Sequence, residues 1–117
     1  MTTTLTREQL LNKAKARYEE VDVPGLGTVG IRSLDRAKID LRSSTWFDDN
    51  GNLIDEKFAL RNVYMIIDQV MIDQNTPMFS AEDVSVVSAL DGAMLNPLIS
   101  AVQAFNNDGD SVKKKGE

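Results

Sequence analysis

The sequence predicts an α+β fold: a small, mostly helical domain in which an N-terminal β-hairpin, over about residues 18–32, packs on a helical bundle. Apolar and polar residues alternate with a period of two on both sides of a Pro-Gly-Leu-Gly turn at residues 24–27. Helical spacing of apolar residues accounts for much of the remaining chain. With 117 residues, 42% of them hydrophobic, the chain can bury one core without disulfides. We therefore predict a single domain over 1–105 and a disordered tail over 106–117, where Val112 is the one hydrophobic residue.

Composition excludes several classes of function. The chain has 13 basic and 18 acidic residues, so its net charge of −5 disfavours general binding to DNA or RNA. Without cysteine or histidine it has no disulfide, thiolate nucleophile, Cys/His zinc site or imidazole base. Neither a signal peptide nor a run of about 20 apolar residues is present. We expect a soluble cytoplasmic protein that is not an enzyme and has no cofactor, metal or membrane partner.

The first half of the chain predicts two helices and the hairpin. Thr6 and Gln9 form a capping-box pattern, which predicts a helix over 7–17. Residues 19–23 and 28–32 are the hairpin strands, and Ser33 is placed to cap a helix over 34–42. Trp46 and Phe47 then precede a polar turn at 48–52.

The second half contains the strongest hydrophobic block. Its spacing predicts a buried helix over 56–69, and its β-branched end predicts a short strand over 70–72. Ser80 caps a predicted helix through residue 89. Either Asp91 or Asn96-Pro97 begins the last helix, because proline is tolerated in a first helical turn but disrupts an interior. Leu98, Val102 and Phe105 form its predicted inward face.

Two motifs imitate ligand sites but fail on context. Residues 25–30 match the dinucleotide pattern G-x-G-x-x-G, yet the chain continues as a strand rather than a helix, so a hairpin turn is the better interpretation. Asp48, Asn50 and Asn52 imitate the start of a calcium loop. The glycine and the bidentate glutamate that such a loop needs are missing, which favours a solvated turn.

The methionines allow two interpretations. Met65, Met71, Met78 and Met94 all lie in apolar blocks. Flexible thioether side chains fill irregular gaps in cores, and they also suit surfaces that accept varied hydrophobic partners. Core filling is the more common role, and a partner groove is the alternative.

The order of these signals resembles the tail assembly chaperones of long-tailed bacteriophages and related prophages. The resemblance covers about residues 13–106: a charged N-terminal helix, the hairpin VDVPGLGTVGIRSL at 21–34, a helical block, the segment IDQNTPMFSAEDV at 72–84, and a final helix ending in AFN at 104–106. These are patterns of turn and cap residues rather than a reactive motif.

The resemblance implies a non-enzymatic function. Such a chaperone binds the long tape-measure protein in the cytoplasm of the infected or lysogenic host, keeps it soluble and passes it to the polymerising tail-tube subunits. It is absent from the mature virion. Lys113 to Lys115 lie where a frameshift site for a longer product is expected, or they form a basic solubilising tail. The alternatives are a structural virion protein, such as a head–tail connector or tail terminator, and a regulator that binds a host factor.

The final helix is the predicted partner-binding element. Leu95, Ile99 and Ala101 lie on other faces than the inward residues, so some apolar surface is expected to remain for a client or a second subunit. Weak self-association is expected for the same reason. The predicted partner-binding residues are Met94, Leu95, Leu98, Ile99, Val102 and Phe105.

Overall fold

The computed structural model describes residues 4–115, with side chains described through residue 107. Its α+β architecture confirms the predicted fold class. Four antiparallel strands form one sheet in the order β1-β2-β3-β4: Tyr18–Val23, Gly27–Arg32, Val70–Asp73 and Thr76–Pro77. The helices are α1 Arg7–Lys13, α2 Arg36–Ser44, α3 Asp55–Ala59, α4 Arg61–Gln69, α5 Val84–Ser88 and α6 Gly92–Lys115, with a 3-10 turn at Ala81–Asp83 before α5.

The predicted hairpin is present and is extended by the second half of the chain. Tyr18 pairs with Arg32 and Val23 with Gly27, so residues 24–26 form the connecting turn. Gly25 has φ +84°, a conformation that side chains disfavour, which confirms the turn interpretation of the glycine motif. Strand β2 then pairs with β3 through Ile31 and Val70. The hairpin is therefore half of a four-stranded sheet rather than a separate element.

The core lies between one face of the sheet and helices α4, α5 and α6. Alternation along β1 and β2 directs Val23 and Ile31 to this face, where they meet the apolar side of α4. Ile66, in the middle of α4, is fully buried. The other buried members are Ile67, Val70, Val87, Leu98, Val102 and Phe105. Among the described residues, no helix is long and apolar enough to cross a membrane.

Several predicted boundaries are wrong. The helix predicted over 7–17 ends at Lys13, and α1 buries none of its side chains although its predicted capping box is present. Helix α2 begins at Arg36 because Asp35, and not Ser33, accepts the Lys38 amide at its N-terminus. The helix predicted over 56–69 is divided at Leu60 (φ −94°, ψ 14°) into α3 and α4.

The last helix begins after Asp91, one of the two predicted starts, and it contains Pro97. A proline at this position removes the hydrogen bond to the carbonyl of Ala93. Ala93 is exposed in the first turn of α6, where water can solvate that carbonyl. The helix also includes Asn106, the first residue of the predicted tail, and its backbone is described through Lys115. Disorder at the end of the chain stays a prediction, since side chains from residue 108 onward lie outside the described set.

Candidate functional site

Helix α2 is attached to the domain mainly through its C-terminal end. It buries none of its own side chains, so hydrophobic packing does not hold it in place. The Arg42 Nε and Nη2 atoms donate to the two carboxylate oxygens of Asp68 on α4, each at 2.8 Å. The same guanidinium lies 4.4 Å from the ring centroid of Tyr64, also on α4. One arginine thus joins α2 to α4 by a two-point ion pair and a cation–π contact.

Two further aromatic rings, those of Trp46 and Phe58, continue this contact beyond Tyr64. Trp46 meets the Tyr64 ring edge-on with centroids 5.3 Å apart, and it meets Phe58 of α3 at 6.2 Å. The Arg61 guanidinium lies 4.6 Å from the centroid of the Phe58 ring. Edge-to-face pairs of this kind stabilise by about 0.5–1.5 kcal/mol beyond their buried area. We call these residues, Arg42, Trp46, Phe58, Arg61 and Tyr64, the arginine–aromatic cluster.

A groove follows the cluster on both sides of the Arg42–Asp68 pair. Two cavities, of about 310 and 450 Å³, share Leu34 together with that pair. Their apolar lining comes from α2, from α4, from Leu34 before α2 and from Trp46 after it. We call this feature the α2 groove; its apolar lining is Leu34, Ile39, Leu41, Trp46 and Met65, and its charged lining is Arg17, Arg32, Lys38, Arg42, Arg61 and Asp68.

Two hydrogen-bonded amides, buried Gln69 on α4 and exposed Asn106 on α6, line the α2 groove. Gln69 is 4% exposed, and its Nε2 donates to the Arg32 carbonyl at 2.9 Å and to Asn106 Oδ1 at 2.7 Å. Asn106 Nδ2 donates back to Gln69 Oε1 at 3.1 Å. Arg17 Nη2 donates to the Phe105 carbonyl at 2.8 Å. These bonds fix α6 relative to α4 and β2, so the groove has one defined wall on this side.

The electrostatics of the groove depend on Asp68. Its hydrogen bonds raise the pKa of Arg42 above the usual value, and the nearby Tyr64 ring acts in the same direction. Arg42 therefore stays charged across the physiological pH range. Among residues 4–107, no group of three or more acidic side chains is placed to hold a metal ion. The chemistry that the groove offers is guanidinium donors beside an apolar wall, which suits binding.

Exposed apolar side chains extend from the groove along α2 and α3. Leu41 is 71% exposed, and Ile39 and Phe58 are also accessible. Phe47 and Leu53 form an isolated antiparallel bridge, so these two exposed side chains are neighbours. This surface adjoins Trp46, because Trp46 contacts Phe58 and directly precedes Phe47.

The structure divides the six predicted partner-binding residues into two groups. Leu98, Val102 and Phe105 belong to the core and are at most 6% exposed, so they offer no surface to a partner in this conformation. Met94 is 45% exposed, and Leu95 and Ile99 are partly buried against the core. None of the six lines the α2 groove. The predicted surface on α6 is therefore reduced to Met94, Leu95 and Ile99, on another part of the molecule.

Of the four methionines weighed above, Met71 is buried, Met65 is half-buried in the groove wall, and Met78 and Met94 are exposed. Core filling is confirmed for Met71, and a role of the other methionines in partner binding stays a prediction. The imitation calcium loop is a turn: Asp48 Oδ1 accepts the amides of Asn50 and Asn52, each at 2.9 Å.

Sequence reasoning missed the α2 groove. Trp46, Arg42 and Arg61 were visible as individual residues, but nothing local indicates that Arg42 pairs with a carboxylate 26 residues away. The useful signal was the weak amphipathicity of residues 34–42. A helix with apolar and charged residues intermixed is not expected to bury a face, and it therefore leaves an accessible surface beside it.

The comparisons with known proteins return nothing for this chain: no protein-family model, curated protein or solved structure matches it. The fold and the groove define a small α+β protein with an accessible groove lined by apolar side chains and arginines.

Proposed function

We propose that this protein is a bacteriophage tail assembly chaperone that binds the tape-measure protein, keeps it soluble and promotes polymerisation of tail-tube subunits around it. The proposal rests on the resemblance of residues 13–106 to that family. The observation that carries it furthest is the accessible apolar surface beside the α2 groove, which includes Ile39, Leu41 and Phe58. Exposed apolar side chains in and near a groove are available for contact with a client.

The shape of this surface supports a helical client. Helix-binding proteins accept the apolar side of an amphipathic helix in a groove lined by hydrophobic side chains. The α2 groove has such a lining, and Met65 adds a side chain that adapts to different shapes. A long, helix-rich protein that aggregates when it is alone presents many segments of this kind.

A co-expression experiment tests the function. The full chain is produced together with the tape-measure protein encoded in the same gene cluster, and the soluble fraction of the tape-measure protein is measured after centrifugation. We expect it to be soluble with the wild-type chain and insoluble without it. An insoluble tape-measure protein, together with detection of this chain in purified virions, would instead favour a structural virion protein.

Matched variants identify the surface that binds the tape-measure protein. Ile39→Asp places a charge in the α2 groove, and Leu11→Asp makes the same chemical change on exposed helix α1. We expect Ile39→Asp to abolish solubilisation and Leu11→Asp to leave it unchanged, since a buried contact does not tolerate an unpaired charge. Met94→Asp tests the surface predicted on α6, and it is preferable to Ile99→Asp because Ile99 packs partly against the core.

Weak self-association stays a prediction of the same proposal. Sedimentation velocity over a range of protein concentrations measures it directly. If Met94→Asp alone reduces self-association and Ile39→Asp alone reduces client binding, the two surfaces have separate partners.

A further inference from the structure

We propose that the segment bound in the α2 groove is an acidic amphipathic helix of the partner protein. The inference deepens the proposed function, on which it rests for the identity of the partner, by assigning the chemistry of the bound segment. It is argued from the charge of the groove, from the pairing of each basic group, and from the apolar wall.

The charge of the α2 groove is opposite in sign to the net charge of the whole protein. The chain carries a net charge of −5, yet five basic side chains and a single carboxylate, that of Asp68, line the two cavities of the groove. Charges of one sign collected in a cleft attract an oppositely charged partner and orient it. The groove therefore selects for acidic segments, whereas most of the remaining surface repels them.

Three of the five basic groups form ion pairs with carboxylates of the protein itself. Asp68 forms an ion pair with Arg42. Asp35 lies 3.0 Å from Lys38 Nζ, and Glu19 lies 3.8 Å from Arg17 Nη1. These pairs hold side chains in place and leave little charge for a partner.

Arg32 and Arg61 are paired differently. Arg32 Nε donates to the backbone carbonyl of Asp68 at 2.9 Å, and Arg61 Nη1 donates to the carbonyl of Phe58 at 3.1 Å. A carbonyl orients a guanidinium without neutralising it. Both arginines retain donors for a carboxylate, and a guanidinium binds a carboxylate in a planar two-point geometry.

The apolar wall determines what kind of acidic partner fits. Leu34, Ile39 and Trp46 offer aliphatic and aromatic contact between the basic groups. A segment that fills this groove needs apolar side chains on one side and carboxylates flanking them, which is the pattern of an acidic amphipathic helix. A nucleic acid fits less well, because Trp46 is already engaged by Tyr64 and Phe58 and only two guanidinium groups remain for phosphates.

The fluorescence of Trp46 measures whether a peptide occupies the groove. Trp46 is the single tryptophan of the chain and it lies in the groove wall, so its fluorescence reports on occupancy. The probe is a synthetic helical peptide of about 18 residues without aromatic side chains, with leucines along one face and glutamates beside them. One control peptide has lysine in place of every glutamate, and another has serine in place of every leucine.

We expect the acidic peptide to shift the Trp46 emission to shorter wavelength in a saturable manner, and added salt to weaken its binding. Neither control peptide should saturate. Arg61→Glu should weaken binding about tenfold or more, because it replaces an attraction by a repulsion. Arg7→Glu, an equal change of charge on exposed helix α1, is the matched control and should change affinity by less than about twofold.

Five results would overturn the inference. Four concern added ligands: failure of the acidic peptide to bind, equal binding of the lysine peptide, equal affinity of Arg61→Glu and wild type, or tighter binding of a single-stranded oligonucleotide. A Trp46 emission that depends on protein concentration in the absence of peptide would also overturn it, since a second copy would then occupy the groove. If the peptide experiment fails but co-expression succeeds, the chaperone function stands and its binding site lies elsewhere on the protein. If the peptide binds as expected but co-expression fails, the groove is specific for acidic helices and the chaperone function is rejected.

Discussion

Arg42 and Asp68 form a two-point ion pair across 26 residues of sequence, with both N···O distances at 2.8 Å. The pair connects α2, which buries no side chain of its own, to the buried helix α4. Both side chains are mostly shielded from solvent, so water screens them less than it screens a surface pair. The orientation of α2, and with it the width of the groove, depends on this contact.

Arg42→Lys should therefore destabilise the protein although the charge is retained. Lysine cannot donate in a planar fork to Asp68 and does not stack on Tyr64, so we expect a loss of about 1–2 kcal/mol in the free energy of unfolding. Arg36→Lys is the matched control, since Arg36 on the same helix pairs with Asp40 at 2.8 Å but is exposed. Its cost should stay below about 0.5 kcal/mol. Urea denaturation followed by Trp46 fluorescence measures both, and equal costs would contradict the role assigned to Arg42.

Gly30→Ala should destabilise the sheet. A Cβ atom at Gly30 would lie 2.5 Å from Tyr18 Oη and 2.9 Å from the Met71 carbonyl oxygen. The tyrosine can rotate, but the carbonyl belongs to the paired strand β3 and cannot move freely. We expect a cost of about 1–3 kcal/mol. Thermal denaturation measures both this variant and a control, Gly92→Ala. Gly92 lies at the start of α6 with no atom within 4 Å of the added Cβ, so Gly92→Ala should be neutral or slightly stabilising.

Asn106→Ala tests whether the domain extends past the predicted boundary at residue 105. The substitution removes the donor to Gln69 Oε1, and because Asn106 itself is exposed we expect only the net value of a hydrogen bond to be lost, about 0.5–1.5 kcal/mol. Gln103→Ala removes an exposed amide from the same helix and should cost less than about 0.5 kcal/mol. If the two variants melt at the same temperature, Asn106 contributes no more than an exposed side chain does.

Acid should destabilise the start of α2 through Asp35. The Lys38 amide donates to the Asp35 carboxylate at 2.8 Å, and this bond is the largest cause that lowers the pKa of Asp35 below its usual 3.8. Because the folded-state pKa is the lower one, the stabilisation is fully present above pH 3.8 and is lost as the pH falls through the folded-state value.

Asp35→Asn keeps a hydrogen-bond acceptor at the helix N-terminus but does not titrate. The pH dependence of its unfolding free energy below pH 4 should therefore be shallower than that of the wild type. Asp49→Asn, in an exposed turn, is the control and should leave the slope unchanged. Identical slopes for the wild type and Asp35→Asn would show that this carboxylate does not contribute to acid stability.

Local chemistry determined much of the fold. Alternation on both sides of a turn that needs Gly25 in a left-handed conformation specifies the hairpin, and Thr6 with Gln9 specifies the start of α1. The helical spacing around Ile66 likewise predicts a buried helix, because an apolar face of that size must be covered. Each of these signals lies within a few residues of the element that it specifies.

Contacts between distant segments decided the rest. Leu60 interrupts a continuous hydrophobic pattern, and β4 adds a strand that no alternation predicts. Val102 and Phe105 lie on the inward face that the spacing of α6 predicts, but the periodicity of α6 alone does not specify that this face packs along β1 and α4 and leaves these residues no surface for a partner. The α2 groove arises in the same way: Arg42 reaches Asp68, and Trp46 reaches Tyr64, only when α2 and α4 lie side by side. The sequence by itself determined the elements with short-range signals, whereas the tertiary structure decided which faces they share, because packing energy depends on surfaces that meet only in the folded chain.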